Sequence, residues 1–196
     1  MQQQLAVPSA RNPWQGQRLI NSKRVATPGP RSRKSPEAER AFTQDELVAL
    51  LHGTERARGW DVYGRVRDLL LLGLFTGGRL NELCSLLVKD VVITKHGHQR
   101  SALLCIREGK TDAATRTMAV THRAGLNMLK RRIGEKESDE PLFHELRPGG
   151  PDDKMSWTAS KAFTRYRREC GVLDGTDFHS LRRTFFTLME EKGWNM

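Results

Sequence analysis

A buried helix that ends at a pair of glycines is the feature that most constrains the fold of this chain. Residues 61–76 contain an apolar run from Leu69 to Phe75, which is far too short to span a bilayer. The run therefore belongs in a protein core, and Gly77-Gly78 ends the helix that carries it. Because glycine has no side chain, this helix end also permits another group to approach the backbone closely.

The patterns around this helix predict a mainly α, α+β fold with one small antiparallel sheet. A helix start is indicated by the capping-box residues Thr43 and Glu46, and residues 79–86 read as a short helical piece. Further helices are predicted at residues 123–133, at residues 157–170 and from Asp177 onward. A period near two, with turn sequences between the segments, predicts three strands. These strands are residues 88–94, 101–106 and 116–120.

Residues 1–40 differ in composition from the rest of the chain. They are rich in Pro, Arg, Ser and Gln, and they hold eight basic and two acidic residues. Such a segment has little core of its own, so we expect a basic arm or linker over residues 1–40 and a compact domain over residues 41–196. Arg31, Arg33 and Lys34 are candidates for contacts with phosphates. The alternative is a tail that contacts nothing.

The formal net charge of +10 favours a polyanionic partner, most often nucleic acid, over a merely soluble surface. No signal peptide or membrane span is indicated, which predicts a cytoplasmic protein. The three cysteines have no CxxC spacing, so we expect ordinary buried thiols in a reducing compartment. No HExxH motif and no Cys/His pair is present, so no metal site is predicted. The cysteines are Cys84, Cys105 and Cys170.

The last predicted helix begins with an unusual group of cationic side chains. Asp177 can cap the helix, and His179 and Arg182 project from one face near its start. Arg183 can reach the same side. An anion at this point would meet backbone N–H groups and a guanidinium together. The alternative is a surface pair on a solvated face. The apolar residues of the same helix form a stripe that we expect in the core. They are Leu181, Phe185, Leu188 and Met189.

Two further cationic residues stand at points where the chain changes direction. Arg79 follows the glycine pair directly, where it either pairs with Glu82 or faces a cleft that holds an anion. Lys110 lies in the turn between two predicted strands, where most lysines are simply solvated. The "GKT" at this turn is not a nucleotide-binding P-loop, because that motif needs glycine where this chain has Leu104.

Taken in order, "TGGRLNEL", the strand-turn lysine and "HSLRRTF" resemble the tyrosine recombinase (phage integrase) family over residues 41–193. The resemblance implies cofactor-free and metal-free phosphoryl transfer on double-stranded DNA. In that family a tyrosine attacks the scissile phosphate and forms a 3′-phosphotyrosyl link. By this resemblance Arg79 and Arg182 hold the phosphate, Lys110 protonates the leaving 5′-oxygen, and His179 assists proton transfer. Arg183 is then left as a DNA-binding residue.

The sequence departs from the family pattern at the nucleophile. The family places its tyrosine after the helix that carries the H-x-x-R motif, whereas this sequence has only Tyr63 and Tyr166, both earlier. We therefore expect a catalytic domain that is incomplete at its C-terminal end and does not cleave DNA alone. By the same resemblance, residues 1–40 are the end of a core-binding domain and its linker.

A second interpretation is a non-catalytic DNA-binding remnant. Such a protein would occupy recombination sites or pair with an active recombinase. In either case the expected partners are double-stranded DNA and other recombinase subunits on DNA, with no membrane and no small-molecule cofactor.

Overall fold

The computed structural model describes residues 40–61, 64–107, 115–172 and 175–193. Within these residues it contains seven helices and one three-stranded antiparallel sheet, which confirms the mainly α, α+β prediction. In chain order the elements are α1 (Gln44–His52), α2 (Glu55–Trp60), α3 (Arg65–Thr76), α4 (Leu80–Cys84), a 3₁₀ turn (Val88–Asp90), β1 (Val91–His96), β2 (Gln99–Arg107), β3 (Thr115–Val120), α5 (Arg123–Ile133), α6 (Ser156–Glu169) and α7 (Phe178–Glu191).

Both helix starts that the sequence predicts by their caps are confirmed. At α1 the Thr43 hydroxyl accepts a hydrogen bond from the Glu46 backbone N–H at 3.3 Å. In return, the Glu46 carboxylate accepts one from the Thr43 N–H at 2.9 Å. At α7 the Asp177 carboxylate accepts from the Ser180 N–H at 3.2 Å. These bonds satisfy N–H groups that have no partner within the helix.

Two predicted element starts are wrong by three residues or more, and an aspartate is the reason in each case. The helix predicted over residues 61–76 starts only at Arg65, because the Asp61 carboxylate accepts a bond from the Val66 N–H at 3.2 Å and so caps the helix from outside. The first strand starts at Val91 rather than at residue 88. There the Asp90 carboxylate accepts from the Leu87 N–H at 3.0 Å and stabilises a 3₁₀ turn.

Helix α3 lies at the centre of the core. Its Leu69, Leu70 and Leu72 are buried, and α7 packs against it through Phe178 and Leu181. The predicted apolar stripe of α7 is confirmed only at its start. The buried residues of α7 end at Thr184, and the side chain of Leu188 is 40% exposed. The stripe prediction is therefore wrong for Leu188, because only the first half of α7 packs on α3.

The sheet has the order β1-β2-β3 and is antiparallel throughout. Val91 pairs with Leu104, and Ala102 pairs with Val120. Along β2 the buried residues Ala102, Leu104 and Ile106 alternate with more exposed ones, so one face of the sheet belongs to the core. This arrangement brings the inner face of β3 to the end of α3.

No helix among the described residues is long and apolar enough to cross a membrane. The three cysteines are unpaired. Cys84 is buried as expected, and burial raises the pKa of its thiol to about 12. The expectation of full burial is wrong for Cys105 and Cys170, which are half-buried.

Replacing Gly73 with alanine tests the close packing of α3 and α7. A Cβ atom at Gly73 would lie 2.9 Å from Phe178 Cζ and 3.0 Å from Leu181 Cδ1. We expect Gly73→Ala to lower the free energy of unfolding by about 1–3 kcal/mol in chemical denaturation, because the core is overpacked. The matched control is Gly59→Ala in α2, where a Cβ meets nothing within 4 Å. The control should be neutral or more stable by up to about 1 kcal/mol, and equal effects of both changes would contradict the packing argument.

Candidate functional site

The candidate site forms where α3 ends at the glycine pair. Gly77 adopts a left-handed conformation with φ of 61°, and its N–H donates to the Gly73 carbonyl at 2.9 Å. A Cβ atom at Gly77 would lie 2.7 Å from Phe185 Cδ1 of α7. The glycine pair therefore allows α7 to approach the backbone at the end of α3 closely. Arg79 follows in extended backbone as the N-cap residue of α4.

Arg79 pairs with Glu82 and is nevertheless open to solvent. The Glu82 carboxylate accepts hydrogen bonds from the Arg79 backbone N–H at 2.8 Å and from Arg79 Nη1 at 3.2 Å. Glu82 is only 1% exposed, whereas the Arg79 side chain is 58% exposed. The local pair proposed from the sequence is thus present, and it fixes Arg79 while leaving much of its guanidinium accessible.

A second arginine, Arg116 of β3, shares the same carboxylate. Its Nη2 donates to Glu82 Oε2, and its side chain is 38% exposed. The sequence analysis missed Arg116. The alternation of residues along β3 could have revealed it. Arg116 lies on the same face of the strand as the buried residues Met118 and Val120. A charged residue at such an inward position requires a partner.

Arg182 brings α7 to this group. Its Nη1 donates to the Gly77 carbonyl at 2.6 Å, and its Cζ lies 4.7 Å from the centroid of the Phe186 ring. Burial lowers the pKa of Arg182 below its usual value. The nearby cations of Arg116 and Arg79 lower it further, and Glu82 opposes the shift. Through its bond to Gly77, Arg182 meets the chain two residues before Arg79.

Two guanidiniums share the Glu82 carboxylate and a third, that of Arg182, is bonded to the nearby Gly77 carbonyl, which leaves an excess of positive charge. We call Arg79, Arg116, Arg182 and Glu82 the arginine cluster. Because all three arginines are at least partly exposed, the cluster can accept an anion from solvent. Guanidiniums suit phosphate oxygens in particular, since their planar fork of N–H donors matches a tetrahedral oxyanion.

The other predicted site residues have different placements. His179 is exposed one turn before Arg182 on α7, and Arg183 is half-buried beside it. The Ser180 N–H at the start of α7 is bonded to the Asp177 carboxylate. Lys110 lies outside the described residues, as do Arg31, Arg33 and Lys34.

The tyrosine that the structure describes is not exposed for attack on DNA. Tyr166 of α6 is fully buried, and its hydroxyl donates to the Leu50 carbonyl at 2.9 Å. Burial raises the pKa of this hydroxyl to about 12. Tyr63 lies outside the described residues. In the described part of the chain, no three His, Cys, Asp or Glu side chains are grouped to hold a metal ion.

Comparison with known proteins identifies the family. The model of the phage integrase family matches residues 40–196. The chain belongs to the phage integrase family. Over 155 residues the chain is 28% identical to tyrosine recombinase XerA of Pyrococcus furiosus. That match covers 79% of this chain and 49% of the relative.

Solved structures support the fold. The crystal structure of XerA recombinase matches with a TM-score of 0.55 and 18% identity, covering 80% of this chain and 53% of that one. XerH site-specific recombinase bound to its difH substrate matches with a TM-score of 0.57 and 22% identity, covering 80% and 44%. The fold is therefore that of a tyrosine recombinase catalytic domain, and the chain spans about half the length of these relatives.

Removing the shared carboxylate tests the electrostatics of the arginine cluster. In Glu82→Gln the guanidiniums of Arg79 and Arg116 lose their common counter-ion, so we expect the free energy of unfolding to fall by about 1–3 kcal/mol at low salt. Sodium sulfate should restore more stability to this variant than to the parent, because an anion can replace the carboxylate. Thermal denaturation in sulfate and in chloride at equal ionic strength measures the effect. An equal response of both proteins to sulfate would contradict it.

Proposed function

We propose that this domain binds duplex DNA and holds a phosphate of its backbone at Arg79 and Arg182, as part of site-specific recombination by a tyrosine recombinase. The observation that carries the proposal is the arginine cluster, in which partly exposed guanidiniums outnumber the single buried carboxylate. The family membership and the net charge of +10 support the same conclusion.

The geometry suits stabilisation of charge on a reacting phosphate. Negative charge spreads over the non-bridging oxygens during phosphoryl transfer, and fixed cations stabilise it most when they need no reorganisation. Arg79 is held by Glu82, and Arg182 is held by the Gly77 carbonyl and the Phe186 ring. Both guanidiniums are therefore fixed in place before any DNA arrives.

The remaining roles rest on the resemblance to the family. His179, one turn before Arg182 on the same helix, would assist proton transfer. Lys110 would protonate the leaving 5′-oxygen. Arg183, together with Arg31, Arg33 and Lys34, would bind DNA outside the reaction centre. Residues 1–40 would form the linker from a core-binding domain, and residues 41–196 would form the catalytic domain.

The relatives point to the same substrate class. One neighbour is XerH site-specific recombinase bound to difH substrate, and another is the Tn1549 transposon integrase in complex with circular intermediate DNA. We propose double-stranded DNA as the partner of this chain, with further recombinase subunits on the same DNA.

The tyrosines favour a second, finer proposal. The sequence contains two tyrosines, and the described one is buried and hydrogen-bonded to a backbone carbonyl. We propose that neither tyrosine acts as the nucleophile, so that residues 1–196 alone bind DNA without cutting it. They would then occupy recombination sites or act with an active recombinase that supplies the attacking group.

Replacing Arg79 tests the phosphate contact. Arg79→Ala should weaken binding to duplex DNA about tenfold, because a hydrogen bond between charged groups contributes about 1.5 kcal/mol or more. The loss should be similar for unrelated DNA sequences, since phosphate contacts carry little sequence information. Fluorescence anisotropy with several duplexes measures it. Arg56→Ala, which removes an arginine of α2 outside the cluster, is the control for charge alone. A loss confined to one DNA sequence would contradict the assignment.

A covalent-trapping assay tests the second proposal. On a nicked duplex that traps the cleaved intermediate, the 196-residue polypeptide should give no protein–DNA adduct that survives denaturation, because Tyr166 is buried and neither tyrosine follows the helix that carries the H-x-x-R motif. Gel electrophoresis in detergent detects such an adduct. Adduct formation that disappears in Tyr63→Phe or in Tyr166→Phe would identify the nucleophile and overturn this proposal.

A further inference from the structure

Arg116 differs in its setting from an arginine that only stabilises a fold. It lies on β3, whereas Arg79 lies at the start of α4, and the two meet at Glu82. Its contact with Glu82 uses Nη2, and the side chain remains 38% exposed. An arginine carries more N–H donors than this one contact uses. The guanidinium is thus fixed by a buried carboxylate while part of it faces solvent, as for Arg79.

The arginine cluster has more positive than negative charge, and Arg116 contributes to this excess. Glu82 balances one positive charge, and it is bonded to both Arg79 and Arg116. Arg182 is bonded to a neutral carbonyl instead. Among its charged neighbours, Arg116 contributes most to the lowered pKa of Arg182, ahead of Arg79. Because Arg116 and Arg79 share one carboxylate, and Arg182 is bonded two residues before Arg79, Arg116 adds its positive charge to this site.

Arg107 of β2 provides a comparison with Arg116 within the same sheet. Arg107, at the end of β2, also pairs with a buried carboxylate, since its Nε lies 2.9 Å from Asp90 Oδ1. Its side chain is more exposed than that of Arg116. Its carboxylate partner is Asp90 and not Glu82, so it does not belong to the cluster. Two arginines on neighbouring strands thus form the same kind of ion pair and differ in the carboxylate that holds them, because only Arg116 shares its carboxylate with Arg79.

We infer that Arg116 is a third phosphate-binding residue of this site, held in place by Glu82 and contacting the same stretch of DNA backbone as Arg79 and Arg182. This inference rests on the proposed function, because it assumes that the anion at the cluster is a DNA phosphate. In this inference Glu82 has two roles, because its carboxylate fixes the guanidiniums of both Arg79 and Arg116. The competing interpretation is that Arg116 only tethers β3 to α4.

The salt dependence of DNA binding separates these interpretations. Each phosphate contact that is lost reduces the slope of log K against log salt concentration by about 0.9. With a random-sequence duplex, Arg116→Gln should show this reduction, whereas Arg116→Lys should keep the parent slope because it keeps the charge. Arg107→Gln is the matched control, and it should also keep the parent slope. Circular dichroism verifies that each variant is folded.

The outcomes are distinct. An unchanged slope in Arg116→Gln, with a reduced slope in Arg79→Ala, overturns the inference and leaves the proposed function intact. An equal reduction in Arg107→Gln also overturns it, because the effect would then be one of net charge. If the parent protein does not bind the duplex at all, the proposed function fails and the inference fails with it.

A measurement on the parent protein covers the case in which Arg116→Gln does not fold. The side-chain Nε–Hε signal of Arg116 can be followed by ¹⁵N NMR and assigned by its absence in Arg116→Lys. Addition of the duplex should shift this signal and leave that of Arg107 unchanged. An unshifted Arg116 signal at saturating duplex overturns the inference.

Discussion

The close packing of α7 against α3 is the contact on which the candidate site depends. Two glycines of α3 and its end, Gly73 and Gly77, allow Phe178, Leu181 and Phe185 to approach the α3 backbone. Because α7 comes this near, Arg182 reaches the carbonyl of Gly77 at the break where Arg79 begins the next helix. Residues that are about a hundred positions apart in the chain therefore share one site, and a larger side chain at either glycine would separate them.

Two groups of charged residues in this domain illustrate different uses of a buried carboxylate. Arg132 is 4% exposed and lies between Asp68 and Glu145, with both contacts at 2.6 Å. Arg131 supplies a second cation to Asp68, so two acids face two bases and the group is balanced. This balanced group, in which Arg131 is exposed and the other three side chains are buried, joins α3 and α5. The arginine cluster is unbalanced and open, which is the arrangement that a site for an anion requires.

Sequence reasoning succeeded where the controlling interactions are local. The caps of α1 and α7, the helix end at the glycine pair and the pair of Arg79 with Glu82 all involve residues within four positions of each other. It failed where an aspartate competes for backbone N–H groups, as at Asp61 and Asp90. It also placed Leu188 in the core, because helical periodicity shows which face is apolar and not how far along the helix the packing continues.

The sequence by itself indicated the family and the order of the elements other than α2 (Glu55–Trp60), which was not predicted, because periodicity, caps and the two arginine motifs are short-range patterns. It also identified Arg79, His179 and Arg182 as candidates. Only the tertiary structure decided that Arg116 shares Glu82 with Arg79 and that Tyr166 is buried against Leu50. The physical reason is that a hydrogen bond or an ion pair depends on distances in space. The contact of Arg116 with Glu82 joins a strand to a helix that no local pattern relates.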